Sequence, residues 1–201
     1  MSAMRPGTRG RVAMRTICFI GATVFFLTAS PPKALEAQAY GEIGIALGEH
    51  PELVEIEDLD GNPVSLARYA QGRPVLIEFW ARWCENCEAL LPQMRDVYSR
   101  YKDQIEFLAV SVAVAQTPRS VKRHLAEHPV DFPTLWDVGG RAVRAFLAPA
   151  TSYVVALDED GQVVYTGTGP EQDIEAAVLR AIGETEEPWS RPPFQKADSS
   201  R

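Results

Sequence analysis

Cysteine is scarce in this sequence, and three such residues among 201 are too few for the dense disulfide framework of a small secreted scaffold. Long hydrophobic runs are also missing. The main apolar stretch, residues 16–29, is shorter than the roughly 20 residues that cross a bilayer as a helix. Basic residues are outnumbered, and a formal net charge of −7 argues against a nucleic-acid-binding surface. Hydrophobic residues nevertheless make up 46% of the chain, which is enough for one packed domain with appended ends.

The first 39 residues have the order of a secretory signal peptide. Four arginines between residues 5 and 15 precede the apolar stretch, and Ala37-Gln38-Ala39 has the small-residue pattern of a cut site. This order predicts export to the periplasm. The alternative is a retained N-terminal anchor, which would be the chain's only contact with the membrane. Residues 1–39 hold five basic side chains and one acid, so their removal would change the formal net charge from −7 to −11.

The remaining sequence divides into three parts. Residues 40–50 are predicted to be a linker, residues 51–183 one domain, and residues 184–201 a disordered tail. The prediction for the tail depends on its three prolines and its many polar side chains.

Hydrophobic patterning within the domain predicts an α/β fold. Val75–Trp80 is a nearly continuous apolar run of strand length, as in a strand buried on both faces. A helix over Glu85–Tyr101 and a second strand over Ile105–Val112 should follow. The other predicted elements are hairpins near residues 53–66 and 152–166, and helices over residues 65–69, 118–127, 141–146 and 169–182. This order implies a central mixed β-sheet with helices on both faces.

Two cysteines form a C-x-x-C motif, Cys84 and Cys87, whereas Cys18 would leave with the signal. A disulfide that closes so short a loop stabilises a fold little, so the pair is suited to redox chemistry. The motif places the first sulfur at a helix N-terminus, where backbone donors and the helix dipole stabilise a thiolate. We therefore predict Cys84 as the nucleophile and Cys87 as the resolving thiol, which attacks the mixed disulfide formed on Cys84. The active-site motif also contains Trp83, Glu85 and Asn86.

Two other interpretations of the cysteine pair involve no redox chemistry. Half of a zinc site would need further ligands, but no second C-x-x-C occurs, and His50, His124 and His128 lack ligand spacing to the pair. A buried structural pair is the other interpretation. We expect no metal and no cofactor, and a redox-inert binding or metal-handling domain is the alternative function.

The segment Phe79-Trp80-Ala81-Arg82-Trp83-Cys84 resembles the thioredoxin superfamily, and within it the exported TlpA/ResA-type reductases. Pro92 and the turn segments Leu59–Leu66 and Leu157–Gly161 agree with that pattern, so the resemblance covers residues 50–183 approximately. It implies a thioredoxin-like fold and disulfide exchange. The implied partners are disulfides of client proteins and a thiol electron donor, and the domain is expected to be a monomer.

Glu78 is a departure from the TlpA pattern. Thioredoxins carry a buried Asp at this position and many TlpA-type proteins carry Asn. Burial raises the pKa of a carboxyl group and lets it relay the proton of the second cysteine, so we predict a proton relay; the alternative is a partly solvated acid at a strand end. The acid that TlpA-type proteins carry three residues after the second cysteine is Leu90 here, which leaves Glu78 as the expected buried base.

The proline that faces the disulfide in this superfamily is also displaced. An ungapped alignment puts Ser152, preceded by Thr151, at its position, and Pro149 lies three residues earlier. The disulfide-facing loop is therefore predicted to use either the Thr151-Ser152 pair, which we favour, or Pro149.

The charges near the motif favour the reductive direction. Glu78, Glu85 and Glu88 surround the pair, and Arg82 is the one base expected to oppose them. Negative charge disfavours the stable thiolate that makes a strong oxidant. Peroxide chemistry is not expected, because Ala81 replaces the Thr or Ser that a peroxiredoxin carries three residues before its cysteine.

Export makes a direct prediction about the mature chain. Protein recovered from its native envelope should begin near Tyr40, because the signal is expected to be cleaved after Ala39. Amino-terminal sequencing of that material measures this. A recovered chain that retains residues 16–29 would contradict cleavage and indicate an anchor.

Overall fold

Strands and helices alternate along residues 44–184, the part of the chain that this computed structural model describes. These residues belong to one unit, Gln38–Arg201. The strands are β1 (Glu55–Asp58), β2 (Pro63–Ser65), β3 (Val75–Trp80), β4 (Glu106–Val112), β5 (Thr134–Asp137), β6 (Tyr153–Leu157) and β7 (Val163–Gly167). The helices are α1 (Ala67–Ala70), α2 (Glu85–Tyr101), α3 (Pro118–Glu127), α4 (Arg141–Ala145) and α5 (Ile174–Ala181).

The sheet formed by these strands is mixed, in the order β2-β1-β5-β4-β3-β6-β7. β3, β4 and β5 are parallel to one another, whereas β6 runs antiparallel to β3 on its other side. All six residues of β3 are buried, which agrees with its unbroken apolar pattern and its central position. β3 therefore ends in the middle of the sheet, and its carboxyl end leads directly to the cysteine motif.

Helices cover both faces of the sheet. The contacts of β3 show this, since its alternate residues contact different helices. Glu78 and Trp80 face α2 and α3, with which they line one cavity. Phe79 points to the other face, where its ring packs 5.6 Å from that of Phe146 at the end of α4. The structure confirms the predicted α/β architecture, a thioredoxin-like mixed sheet between two layers of helices.

The strand β5 was not predicted from the sequence. β5 has only four residues and no alternating pattern, yet its last three residues are buried and it pairs with both β1 and β4. Its Asp137 carboxylate accepts hydrogen bonds from the backbone N–H groups of Arg141, at 2.7 Å, and Val143, at 2.9 Å. These bonds satisfy the first donors of α4 and fix where that helix starts.

The last helix starts later than the sequence predicted. α5 begins at Ile174 rather than near Gly169, because the Asp173 side chain caps it by accepting from the N–H of Ala176 at 2.9 Å. Gly169 has a φ of +85° and lies in a turn that the side chain of Gln172 closes with a 2.7 Å hydrogen bond to its carbonyl.

The segment predicted as a linker is described from Gly44 onward. Within it the Gly48 N–H donates to the carbonyl of Val163, and the Val163 N–H donates to that of Glu49, at 2.8 and 2.9 Å. The predicted signal peptide and residues 185–201 of the predicted tail lie outside the described residues. Within residues 44–184, no helix is long and apolar enough to cross a membrane.

Candidate active site

Cys84 is the N-cap residue of α2. Its backbone is extended, with φ −89° and ψ 101°, and its sulfur accepts a hydrogen bond from the backbone N–H of Cys87 at 3.1 Å. A backbone donor of the first helical turn therefore points at the sulfur of Cys84, which is the arrangement that stabilises a thiolate. Cys87 lies one turn further on, on the face of α2 that packs into the core.

The two cysteines form a disulfide in this structure, with their Cα atoms 5.3 Å apart. Their exposed fractions are similar, 5% for Cys84 and 7% for Cys87. Burial alone therefore does not distinguish nucleophile from resolving thiol. The difference between them is the position of Cys84 at the helix terminus.

The loop that follows β4 holds the residues just before Cys84. The indole N–H of Trp83 donates to the carbonyl of Val114 at 2.8 Å, and the backbone N–H of Arg82 donates to the side-chain oxygen of Gln116 at 3.0 Å. Gln116 is itself held by the Ser111 hydroxyl, at 3.0 Å. Trp83 stays 44% exposed, so its ring forms part of the surface beside the disulfide. The side chains of Glu85 and Asn86 are also exposed.

Glu78 is 5% exposed, in the middle of the sheet. Its Oε1 atom has no hydrogen-bond partner among the described residues. Burial, and to a lesser extent the negative charge of Glu88, raises the pKa of the Glu78 carboxyl to about 8. The predicted alternative of a partly solvated strand-end acid disagrees with this burial, whereas the relay role stays a prediction.

A small cavity of about 30 Å³ separates Glu78 from helices α2 and α3. Cys87 lines the same cavity, so the carboxyl and the second cysteine face a common space. Two further polar atoms of cavity-lining residues, Trp80 Nε1 and Thr134 Oγ1, are buried without a hydrogen-bond partner in the described part of the chain. The surroundings of Glu78 are therefore polar in places and not uniformly apolar.

The position of Ser152 follows from the register between β3 and β6. Phe79 pairs with Tyr153, so Ser152, the residue before it, lies at the end of the sheet from which Cys84 emerges. Ser152 is 1% exposed and has a φ of +59°. Its hydroxyl accepts from the N–H of Gly169 at 2.9 Å. Thr151 is partly buried and Pro149 is exposed, and a disulfide-facing role for any of these residues remains a prediction.

Glu88 has a neighbour in the fold that the sequence did not indicate. The His124 imidazole Nε2 lies 3.0 Å from a carboxylate oxygen of Glu88. The Arg82 guanidinium instead donates to the carbonyl of Ala115 at 3.4 Å. Among residues 44–184, no three His, Cys, Asp or Glu side chains are grouped closely enough to hold a metal ion.

Sequence reasoning missed His124, Thr134 and Gln116 as neighbours of the site. The sequence relates His124 to His128, because residues four apart share one face of a helix. It contains no pattern that pairs His124 with Glu88.

Comparison with known proteins identifies the family. Residues 47–182 match the Redoxin family over more than half of the chain. The chain belongs to the Redoxin family. Among Redoxin relatives, thiol-disulfide oxidoreductase ResA of Bacillus thuringiensis is 30% identical over 58% of this chain and 65% of that protein. ResA of Geobacillus kaustophilus is 31% identical over 65% of this chain and 75% of that protein.

The match spans less than two thirds of the first of these Redoxin relatives. A solved structure, StoA from Bacillus subtilis, superposes with a TM-score of 0.54 and covers 67% of this chain and 98% of its own, at 22% identity. At that identity the likeness shows the shared thioredoxin-like fold and nothing finer.

The N-terminal position of Cys84 predicts unequal reactivity in the reduced protein. Cys84 should react with an alkylating agent at neutral pH at least about tenfold faster than Cys87, because only its thiolate is stabilised by the first turn of α2. Mass spectrometry after a brief, limiting dose measures the label on each cysteine. Equal labelling would contradict the assignment, and denatured protein, in which both should react alike, is the control.

Proposed function

We propose that this chain is an exported thiol–disulfide oxidoreductase. In this proposal the Cys84–Cys87 pair reduces disulfide bonds of client proteins and is then reduced again by a thiol donor. Membership of the Redoxin family and similarity to proteins named ResA support the activity. The observation that carries the proposal is the shared cavity of Glu78 and Cys87, since a buried, unpartnered carboxyl beside a cysteine is suited to moving that thiol's proton.

The proposed reaction begins on Cys84. Its thiolate attacks one sulfur of the client disulfide, forms a mixed disulfide and releases the other client sulfur as a thiolate. Cys87 then gives its proton to Glu78 and attacks the sulfur of Cys84. The client's second sulfur leaves as a thiolate and takes a proton from solvent. One client disulfide has been reduced to two thiols, and the Cys84–Cys87 dithiol has been oxidised to the disulfide.

The pKa of Glu78 suits this proton transfer. At about 8 it lies close to the ordinary value of a cysteine thiol, near 8.5, so a proton moves between the two groups at little cost in either direction. An exposed glutamate, with a pKa near 4.3, would be a much weaker base.

Charge near the cysteines supports the reductive direction. Glu85 and Glu88 lie in the first turn of α2, where their charges oppose the stabilisation of a thiolate by the helix dipole. A less stable thiolate makes the dithiol form a better reductant. Export is supported by the signal-like order of residues 1–39.

Replacement of Glu78 tests the proposed relay. Glu78→Gln should slow the reduction of a model disulfide by pre-reduced protein roughly 100-fold near pH 7, the lower end of the usual effect of an acid–base group. Stopped-flow measurements from pH 5 to 9 give the profile, with Glu55→Gln, an exposed acid on β1, as the matched control. An unchanged profile would remove the relay role, and failure of the unaltered protein to reduce the disulfide would contradict the activity itself.

The same substitution should change how stability depends on pH. Between about pH 4.5 and 8 the folded protein holds a proton on Glu78 that the unfolded chain has lost. The free energy of unfolding therefore falls with rising pH, by about 1.4 kcal/mol per pH unit from this group alone. Glu78→Gln removes that dependence. The free energy of unfolding of the variant, relative to that of the parent, should therefore rise from pH 5 to pH 8. Urea unfolding of the oxidised proteins measures this, and identical pH dependence would contradict a buried carboxyl with a raised pKa.

A further inference from the structure

The cavity beside Glu78 has the size and polarity of a water site. Its volume of about 30 Å³ exceeds the roughly 10–15 Å³ that one water molecule needs. Three buried polar atoms of lining residues have no hydrogen-bond partner within residues 44–184, namely Glu78 Oε1, Trp80 Nε1 and Thr134 Oγ1. Buried polar atoms without protein partners are costly, and water bound in the cavity would supply hydrogen-bond partners to the atoms that face it.

On the side away from the sheet, this cavity is lined by two contacting side chains that come from two helices. Glu88 of α2 and His124 of α3 approach to 3.0 Å, and both line the cavity. The His124 side chain is 16% exposed and that of Glu88 is 40% exposed, so both residues line the cavity and also reach solvent. The ring of His128 stacks on that of His124 at 4.7 Å, and the ring of Trp80 lies 5.6 Å away. These two rings fix the orientation of the imidazole.

We infer that water in this cavity and the Glu88–His124 pair, called here the outlet pair, form the route by which protons pass between Glu78 and solvent. The inference rests on the proposed relay role of Glu78. Imidazole is suited to the outer end of such a route, because it both takes up and releases protons near neutral pH.

Proton accounting explains why the relay needs an outlet. Burial raises the pKa of Glu78 to about 8, so below that pH the carboxyl holds a proton taken up from solution. That proton must leave before Glu78 can accept another from Cys87. Glu78 is only 5% exposed, and the cavity that it lines is also lined by the partly exposed outlet pair, so the proposed route runs through this cavity.

The titratable groups that face this cavity come from three elements. β3 supplies Glu78, α2 supplies Cys87 and Glu88, and α3 with the residue directly after it supplies His124 and His128. β4 and β5 contribute only the uncharged Ala109 and Thr134. Glu88 also acts on Glu78 directly by raising its pKa, so its replacement would change the base as well as the outlet. His124 is therefore the more selective residue to change.

The experiment compares His124→Gln with His50→Gln, an exposed histidine that does not line the cavity. Single-turnover reduction of a model disulfide is followed from pH 5 to 9, with and without added imidazole. His124→Gln should slow the reaction roughly threefold to tenfold near pH 7, which is less than the loss expected for Glu78→Gln, because water alone still conducts slowly. Imidazole should restore the rate, since a diffusible base can replace the missing one, and His50→Gln should match the parent.

Each alternative result has one meaning. If Glu78→Gln is slow and His124→Gln follows the parent at every pH, the outlet is wrong and the relay stands. If neither variant is slow, the relay fails and the outlet fails with it. A slow His124→Gln that imidazole does not restore, with a pH profile of unchanged shape, would overturn the outlet and indicate a structural contact. If His124→Gln does not fold, His124→Asn replaces it in the imidazole test.

Discussion

Desolvation of one carboxyl group is the constraint on which the site depends. Glu78 occupies the centre of a strand whose other residues are apolar, and the sheet gives its Oε1 atom no hydrogen-bond partner. The packing of the rest of the domain holds this acid in a buried environment that disfavours its charged form. The result is a carboxyl group with a raised pKa that lines the same cavity as the second cysteine of the motif.

The sheet topology brings the other parts of the site to that acid. Because β3 is central, its carboxyl end has neighbours on both sides. β4 leads into the loop that hydrogen-bonds Trp83, and β6 starts just after Ser152. The parallel crossover from β4 to β5 carries α3, and with it His124, across the cavity from Glu78. Segments far apart in the chain thus surround one dithiol.

The sequence predicted those features that depend on local pattern. The observed bounds of β3, α2 and α3 agree with the bounds that hydrophobic periodicity predicted. The C-x-x-C motif likewise predicted that Cys84 lies at the N-terminus of a helix. β5 was missed because four residues carry no period, and the start of α5 was misplaced because Gly169 marks a turn. The Glu88–His124 contact depends on how two helices pack side by side on one face of the sheet, which neither residue type nor spacing encodes. Likewise, the similar burial of Cys84 and Cys87 is a property of the folded surface.

The contacts of residues 48–49 with Val163 have a consequence for how the molecule behaves at high concentration. They occupy backbone groups of β7, the outermost strand on one side of the sheet. The opposite edge, β2, is only three residues long and begins with Pro63, which has no N–H to donate. Short, partly covered or proline-bearing edges are poor templates for another chain, so neither side of this sheet invites edge-to-edge aggregation.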